Sequence, residues 1–137
     1  MIAELGLAAL WLAAALAALQ LVTGALAVRQ DAGTGEAAIA DLTRPATVVQ
    51  GILAALSFAA LLYVFAVTDL SVKLVADNSH SLKPMIFKLS GAWGNHEGSM
   101  LLWVTVLAAS GALIALVERR LPERTMQAVL ALSLIHI

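Results

Sequence analysis

The chain has 137 residues, of which 61% are hydrophobic and only 12% are charged, and its formal net charge is −1. An ordinary soluble domain is about 25% charged, so this composition argues against one, and the near-neutral charge gives no reason to expect a nucleic-acid partner. The chain contains no cysteine, which excludes a disulfide framework, a thiolate metal site and a redox-active CxxC motif within it.

Three long segments carry no charged residue: residues 5–28, 45–68 and 98–117. A helix needs about 20 apolar residues to cross the hydrocarbon layer of a membrane. A soluble helical bundle is the weaker alternative, because its helices would show a polar stripe toward water and these segments have none. The sequence therefore predicts an all-α, polytopic transmembrane protein with three full transmembrane helices and a truncated fourth.

The first helix is predicted at residues 5–28. A cleaved signal peptide is the alternative, but no lysine or arginine precedes the apolar run, and the run is longer than a signal sequence requires. A polar connection follows, and Pro45 is placed in the first turn of the second helix, predicted at residues 46–68.

The third helix is predicted at residues 100–117, followed by a charged turn at 118–124 and a fourth apolar run at 125–137. Thirteen residues form roughly 20 Å of helix, which is too short to span a bilayer. We therefore expect that the chain is the N-terminal transmembrane portion of a longer protein, and we give His136 no functional weight.

Basic residues in short loops indicate the orientation. The connections at residues 29–44 and 118–124 contain five arginines, whereas the opposite side has three lysines spread over the connection 69–99. This bias predicts that the N-terminus and the connection 69–99 lie outside the cytoplasm.

The connection 69–99 shows three patterns. Residues 70–74 alternate in polarity, a weak indication of an extended piece, and residues 77–81 are typical of a turn. Leu82, Met85, Ile86 and Leu89 then follow helical spacing, with Ser81 available as a cap and Lys83 and Lys88 off the apolar stripe. This pattern predicts a short helix in the headgroup region with its lysines toward lipid phosphate, and an irregular loop is the alternative.

Glycines, tryptophans and polar residues cluster where the third helix begins. Glycines permit tight turns there, Asn95 or Ser99 can cap the helix, and Glu97 complements the positive end of its dipole. If the helix begins by His96, then His96, Met100 and Trp103 share one face. Trp93 and Trp103 are of the residue type favoured at a membrane interface.

This region resembles a known family. The run Trp93-Gly94-Asn95-His96-Glu97-Gly98-Ser99-Met100-Leu101-Leu102-Trp103 is similar to the CcmF-type cytochrome c haem lyases and their NrfE relatives. Further similarity lies at residues 4–6, 78–81, 83–84 and 119–122. The family often has tyrosine where this chain has Phe87, and the polar insert at residues 30–36 is longer than expected.

The resemblance implies a multi-pass protein of the bacterial inner membrane that acts in cytochrome c maturation. In that family, haem arrives on the chaperone CcmE and is attached to CxxCH cysteines of apocytochrome c, which CcmH-type and CcmI-type subunits present. The family's tryptophan-rich WWD segment and its haem-ligating histidines match no residue here. We therefore expect no catalytic and no cofactor-binding residue in this chain, and no haem attachment by it alone.

The candidate functional residues form a surface for partners or for support of the haem-handling region: Trp93, Gly94, His96, Glu97, Gly98 and Trp103. For His96, a structural role is the simpler interpretation than haem ligation. A metal site formed by His80, His96, Asp77 and Glu97 matches no tight ligand spacing. Gln20, Gln50 and Ser57 are interpreted as interhelical hydrogen-bonding groups. An unrelated membrane transporter remains the alternative function.

Overall fold

The computed structural model describes residues 1–29 and 35–117, together with Thr125 and Val129. These residues form five helices: α1 (Ile2–Arg29), α2 (Gly35–Ala66), α3 (Lys73–Asn78), α4 (Met85–Gly91) and α5 (His96–Val117). Three segments are long and apolar enough to cross a membrane, at Ile2–Thr23, Thr43–Ala66 and His96–Val117. The predicted all-α transmembrane fold is confirmed, whereas the charged turn 118–124 and most of the fourth apolar run, 125–137, lie outside the described residues.

The central helix is α2, which packs against both α1 and α5. Small residues make these contacts close, as is usual in membranes. A β carbon at Gly6 would lie 2.8 Å from Cβ of Ala60, and one at Gly51 would lie 2.7 Å from Cβ of Ala112. The helices therefore approach each other at positions where only glycine fits.

Polar side chains are buried between these helices. Gln20 of α1 and Thr47 and Gln50 of α2 are each less than 5% exposed. The Thr47 hydroxyl lies 3.0 Å from Oε1 of Gln20 and 2.8 Å from the carbonyl oxygen of Thr43. The predicted interhelical role is confirmed for Gln20, which accepts a hydrogen bond from Thr47 of α2.

The predicted helix boundaries differ from the structure most at the starts of the second and third long helices, and by three residues or fewer elsewhere. The second helix begins at Gly35 rather than at residue 46, so Pro45 lies inside α2 and not in its first turn. Alanine and glutamate at residues 36–40 favour a helix, and α2 continues through Pro45 although an internal proline removes one backbone donor and crowds the carbonyl four residues earlier. The third long helix begins at His96 rather than at residue 100, so the connection between α2 and α5 is residues 67–95.

The end of α2 is a turn with a residue in the left-handed region. Thr68 has φ 55°, its N–H donates to the carbonyl of Phe65, and the N–H of Asp69 donates to the carbonyl of Val64. Glycine usually occupies this position, because a β-branched residue is strained there. Asp69 then accepts hydrogen bonds from the hydroxyl and N–H of Ser71, and these hold the pKa of its carboxyl below its usual value.

The connection contains two short helices. The extended piece predicted at residues 70–74 was wrong, because α3 begins at Lys73. The predicted short helix is present as α4, but Pro84 rather than Ser81 precedes its first residue. Phe65 is fully buried in a cluster with Val64, with Val75 of α3 and with Ala92, the residue that follows α4.

Candidate functional site

One side-chain amide connects α4 to α5. Asn95 Nδ2 donates to the carbonyl oxygen of Gly91 at 2.7 Å, and Asn95 Oδ1 accepts the N–H of Gly98 at 2.6 Å. Asn95 is therefore the N-cap of α5, as the sequence allowed, and it also satisfies a carbonyl at the end of α4. Ser99, the other candidate cap, donates instead to the carbonyl of His96 at 2.8 Å.

Gly98 is buried against the preceding backbone. A β carbon at this position would lie 1.7 Å from the carbonyl oxygen of Ala92. At Gly94 a β carbon would lie 3.0 Å from the carbonyl oxygen of Ser90. No described glycine has a positive φ, so the predicted turn-forming role is corrected: these glycines permit close approach of the backbone.

The polar and aromatic groups at the start of α5 face outward. Because α5 begins at His96, the side chains of His96, Met100 and Trp103 follow the spacing of one helix face, and all three are exposed. Glu97 is exposed in the first turn, where it complements the helix dipole. Trp93 is 42% exposed and Trp103 66% exposed. The arrangement is a rigid backbone with an accessible polar and aromatic surface.

The histidines and carboxylates of the connection are not gathered into a metal site. Among the described residues, no group of three or more histidine, cysteine, aspartate or glutamate side chains could hold a metal ion. Asp77 pairs instead with Lys73, and this interaction raises the pKa of the Lys73 ammonium. The four-residue metal hypothesis therefore has no support in the described part of the chain.

One residue important for this region was not selected from the sequence, and another has a partner that the sequence did not predict. Phe65 supports the connection from α2, and a β carbon at Gly91 would lie 3.3 Å from its ring. Lys83, expected to face lipid phosphate, donates to the carbonyl oxygen of Asn78 at 2.8 Å. The Phe65 contact joins segments that are distant in sequence, so no local sequence pattern indicates it. The Lys83–Asn78 hydrogen bond lies next to the turn predicted at residues 77–81, so the sequence indicated that part of the arrangement.

Two cavities along the described chain lie near these helices and the connection. One of 160 Å³ is almost entirely apolar and is lined mainly by α1 and α2, with Ser57 as a polar group. The other, of 360 Å³, is lined by Asn78, Lys83, Phe87, Ser90, Gly91 and Gly94. No histidine lines either cavity, and the exposed surface at His96 does not enclose a macrocycle. These residues do not fit an enclosed, histidine-ligated haem site.

Comparisons with known proteins agree on one family, although no family model matches the chain. The chain is 48% identical to the cytochrome c-type biogenesis protein CycK of Rhizobium meliloti, over 97% of this chain and 19% of the relative. It is 41% identical to the cytochrome c-type biogenesis protein CcmF of Haemophilus influenzae, over 96% of this chain and 20% of the relative. A solved structure of cytochrome c heme lyase CcmF superposes with a TM-score of 0.87 at 27% identity, over 99% of this chain and 22% of that chain.

The similarity is spread along the whole sequence and is not confined to the motif at residues 93–103. The chain spans about a fifth of the length of the curated relatives that it matches. The resemblance predicted from the sequence is confirmed, and it favours cytochrome c biogenesis over the transporter alternative.

Proposed function

Since this chain is a CcmF-type segment, we propose that the protein carrying it attaches haem covalently to the CxxCH motifs of apocytochrome c in bacterial cytochrome c maturation. The observation that carries the proposal is the combination of 48% identity over 97% of the chain with the close structural match to a cytochrome c heme lyase CcmF. A transporter with an unrelated loop would not share the arrangement of all three membrane-spanning helices.

In this proposal, the chain supplies a membrane scaffold and not the haem ligands. The haem-ligating histidines of the family match no residue of this chain, so we place the haem ligands in other parts of the protein. The haem, when bound there, supplies the vinyl groups that form thioether bonds with the cysteines. The chain by itself is expected to be inactive.

We further propose that the protein lies in the inner membrane with its N-terminus and the connection in the periplasm. The haem chaperone CcmE, CcmH-type and CcmI-type subunits and apocytochrome c are the partners expected on that side. The distribution of arginines and lysines between the loops supports this orientation.

The role proposed for residues 93–98 is to support the periplasmic haem-handling surface. The Asn95 amide and the close approach at Gly98 fix the backbone, so the exposed groups at Trp93, His96, Glu97 and Trp103 have defined positions. Such a rigid surface suits contact with a haem-carrying partner better than a mobile loop does, because less conformational entropy is lost on binding.

The experiment replaces His96 by alanine and Glu97 by glutamine in the intact protein and measures both membrane abundance and holocytochrome yield. His80→Ala is the matched control, because His80 is also exposed in the connection but lies far from the start of α5 in sequence. We expect normal abundance and reduced yield for the His96 and Glu97 variants and no change for the control.

The two measurements distinguish the possible roles. A loss of abundance with a proportionate loss of yield would assign these residues to stability alone. Wild-type values for both variants would contradict the site assignment.

A further inference from the structure

Exposed apolar side chains are concentrated in α4 and just before it. Leu82 is 88% exposed, Ile86 71%, Phe87 61% and Met85 55%. These four side chains lie within six consecutive positions and are called the apolar patch below. Exposed apolar side chains concentrated in this way suit an interaction surface or a membrane contact.

The position of α4 relative to the membrane follows from the helices on either side of it. The candidate spans end at Ala66 and begin at His96, and α4 ends at Gly91, close to the start of α5. The amide of Asn95 holds the end of α4 within hydrogen-bonding distance of the first turn of α5. We therefore expect the apolar patch to lie near the bilayer surface at the ends of these spans.

A cationic group lies next to this patch. Lys83 lines the 360 Å³ cavity with Phe87, Ser90 and Gly94. Its ammonium has three N–H donors, and the hydrogen bond to the carbonyl of Asn78 uses one. That bond fixes the ammonium in the wall of the cavity while donors remain for an anion. A phosphate group has the charge and the acceptor oxygens to match them.

We propose that α4 and the Lys83 cavity form a binding site for an anionic phospholipid. The headgroup phosphate accepts hydrogen bonds from the Lys83 ammonium, and an acyl chain lies against Leu82, Met85 and Ile86. The apolar patch selects a lipid over a soluble phosphate, because a soluble anion would leave the patch in water. The site shares Gly94 with the segment at residues 93–98 and would hold the connection against the bilayer.

Lipid titration of the intact protein in mild detergent, followed by native mass spectrometry, tests the headgroup contact. Phosphatidylglycerol is the probe, and phosphatidylcholine and the soluble headgroup glycerophosphoglycerol are the comparisons. We expect Lys83→Gln to weaken phosphatidylglycerol binding about fivefold, as for loss of one basic residue at a charged membrane surface. Lys83→Arg should retain binding, and Lys88→Gln, on α4 but outside the cavity lining, should change it less than twofold.

A spin label at residue 86 tests the position of the apolar patch in a background without other reactive cysteines. We expect it to be accessible to oxygen and shielded from a water-soluble nickel reagent in phosphatidylglycerol nanodiscs, whereas a label at Ala76 of α3, also exposed, should be accessible to nickel. Equal phosphatidylglycerol binding by wild type and Lys83→Gln would overturn the headgroup site. Free access of the nickel reagent to the label at residue 86 would overturn the lipid contact. Protection of the label from both reagents, because protein covers it, would also overturn it.

Discussion

At the scale of single residues, the close approach of α5 to the carbonyl of Ala92 leaves no room for a β carbon at position 98. We expect Gly98→Ala to lower the free energy of unfolding by about 1–3 kcal/mol or more, because the backbone must shift to relieve the overlap. Gly91→Ala is the control, since its β carbon would approach no atom more closely than the edge of the Phe65 ring, at 3.3 Å. Thermal unfolding in detergent measures the stability of both variants. Equal losses in the free energy of unfolding would contradict the steric explanation.

Thr68 is a second residue with a local effect. Its φ of 55° is costly for a β-branched side chain, so Thr68→Gly should raise the free energy of unfolding by about 1 kcal/mol. The Thr68 hydroxyl is also buried without a hydrogen-bond partner, which offers another source of strain. Thr68→Val removes the hydroxyl and keeps the β-branched side chain. If valine stabilises the protein as much as glycine does, the hydroxyl and not the backbone is responsible.

At the scale of helices, the hydroxyl of Thr47 and the amide of Gln20 join α1 to α2. A double-mutant cycle with Gln20→Leu and Thr47→Val isolates their interaction, since each change removes one partner. We expect a coupling energy near the average for membrane helices, about 0.6 kcal/mol. Unfolding of the four proteins in detergent provides the measurement. A control cycle pairs Gln20→Leu with Ser110→Ala, an exposed position on α5, and should give no coupling.

Helix boundaries show where sequence reasoning succeeds and where it fails. Long charge-free segments identified the three membrane-crossing helices, because the bilayer imposes a length that composition reveals directly. Charged residues at 36, 41 and 44 concealed the start of α2, since a helix that extends into water tolerates charges as well as a loop does. The Asn95 cap was recognisable from its residue type, whereas its bond to Gly91 depends on where α4 ends.

The candidate site was likewise predictable from the sequence only in part. The glycines, tryptophans, His96 and Glu97 were selected from their spacing in residues 93–103, and the structure places them at the start of α5. The support beneath them comes from Phe65, Val75 and Ala92, which meet only after the chain reverses direction. Packing between distant segments leaves no periodic pattern in the sequence, so this support could not be predicted.

At the scale of the whole molecule, the orientation in the membrane is open to a direct test. We expect a single cysteine at Ser81 to react with an impermeant thiol reagent in intact cells and one at Ala37 to remain unlabelled. Ser81 is exposed, whereas the neighbouring Ser79 is only 7% exposed and would react poorly whichever side it faced. Labelling of residue 37 without residue 81 would reverse the proposed topology.

The two contacts between α1 and α2 also determine the register of this helical hairpin. Gly6 lies against Ala60 and Gln20 against Thr47, so the two pairs are nearly equally spaced along the antiparallel helices. A slip of one turn, about 5.4 Å, would bring Leu56 or Val64 to Gly6, where the methyl group of alanine already makes close contact. The same slip would separate Gln20 from Thr47. Two apolar helices that could slide freely against each other are thus restricted to one alignment by a steric contact at one end and a hydrogen bond at the other.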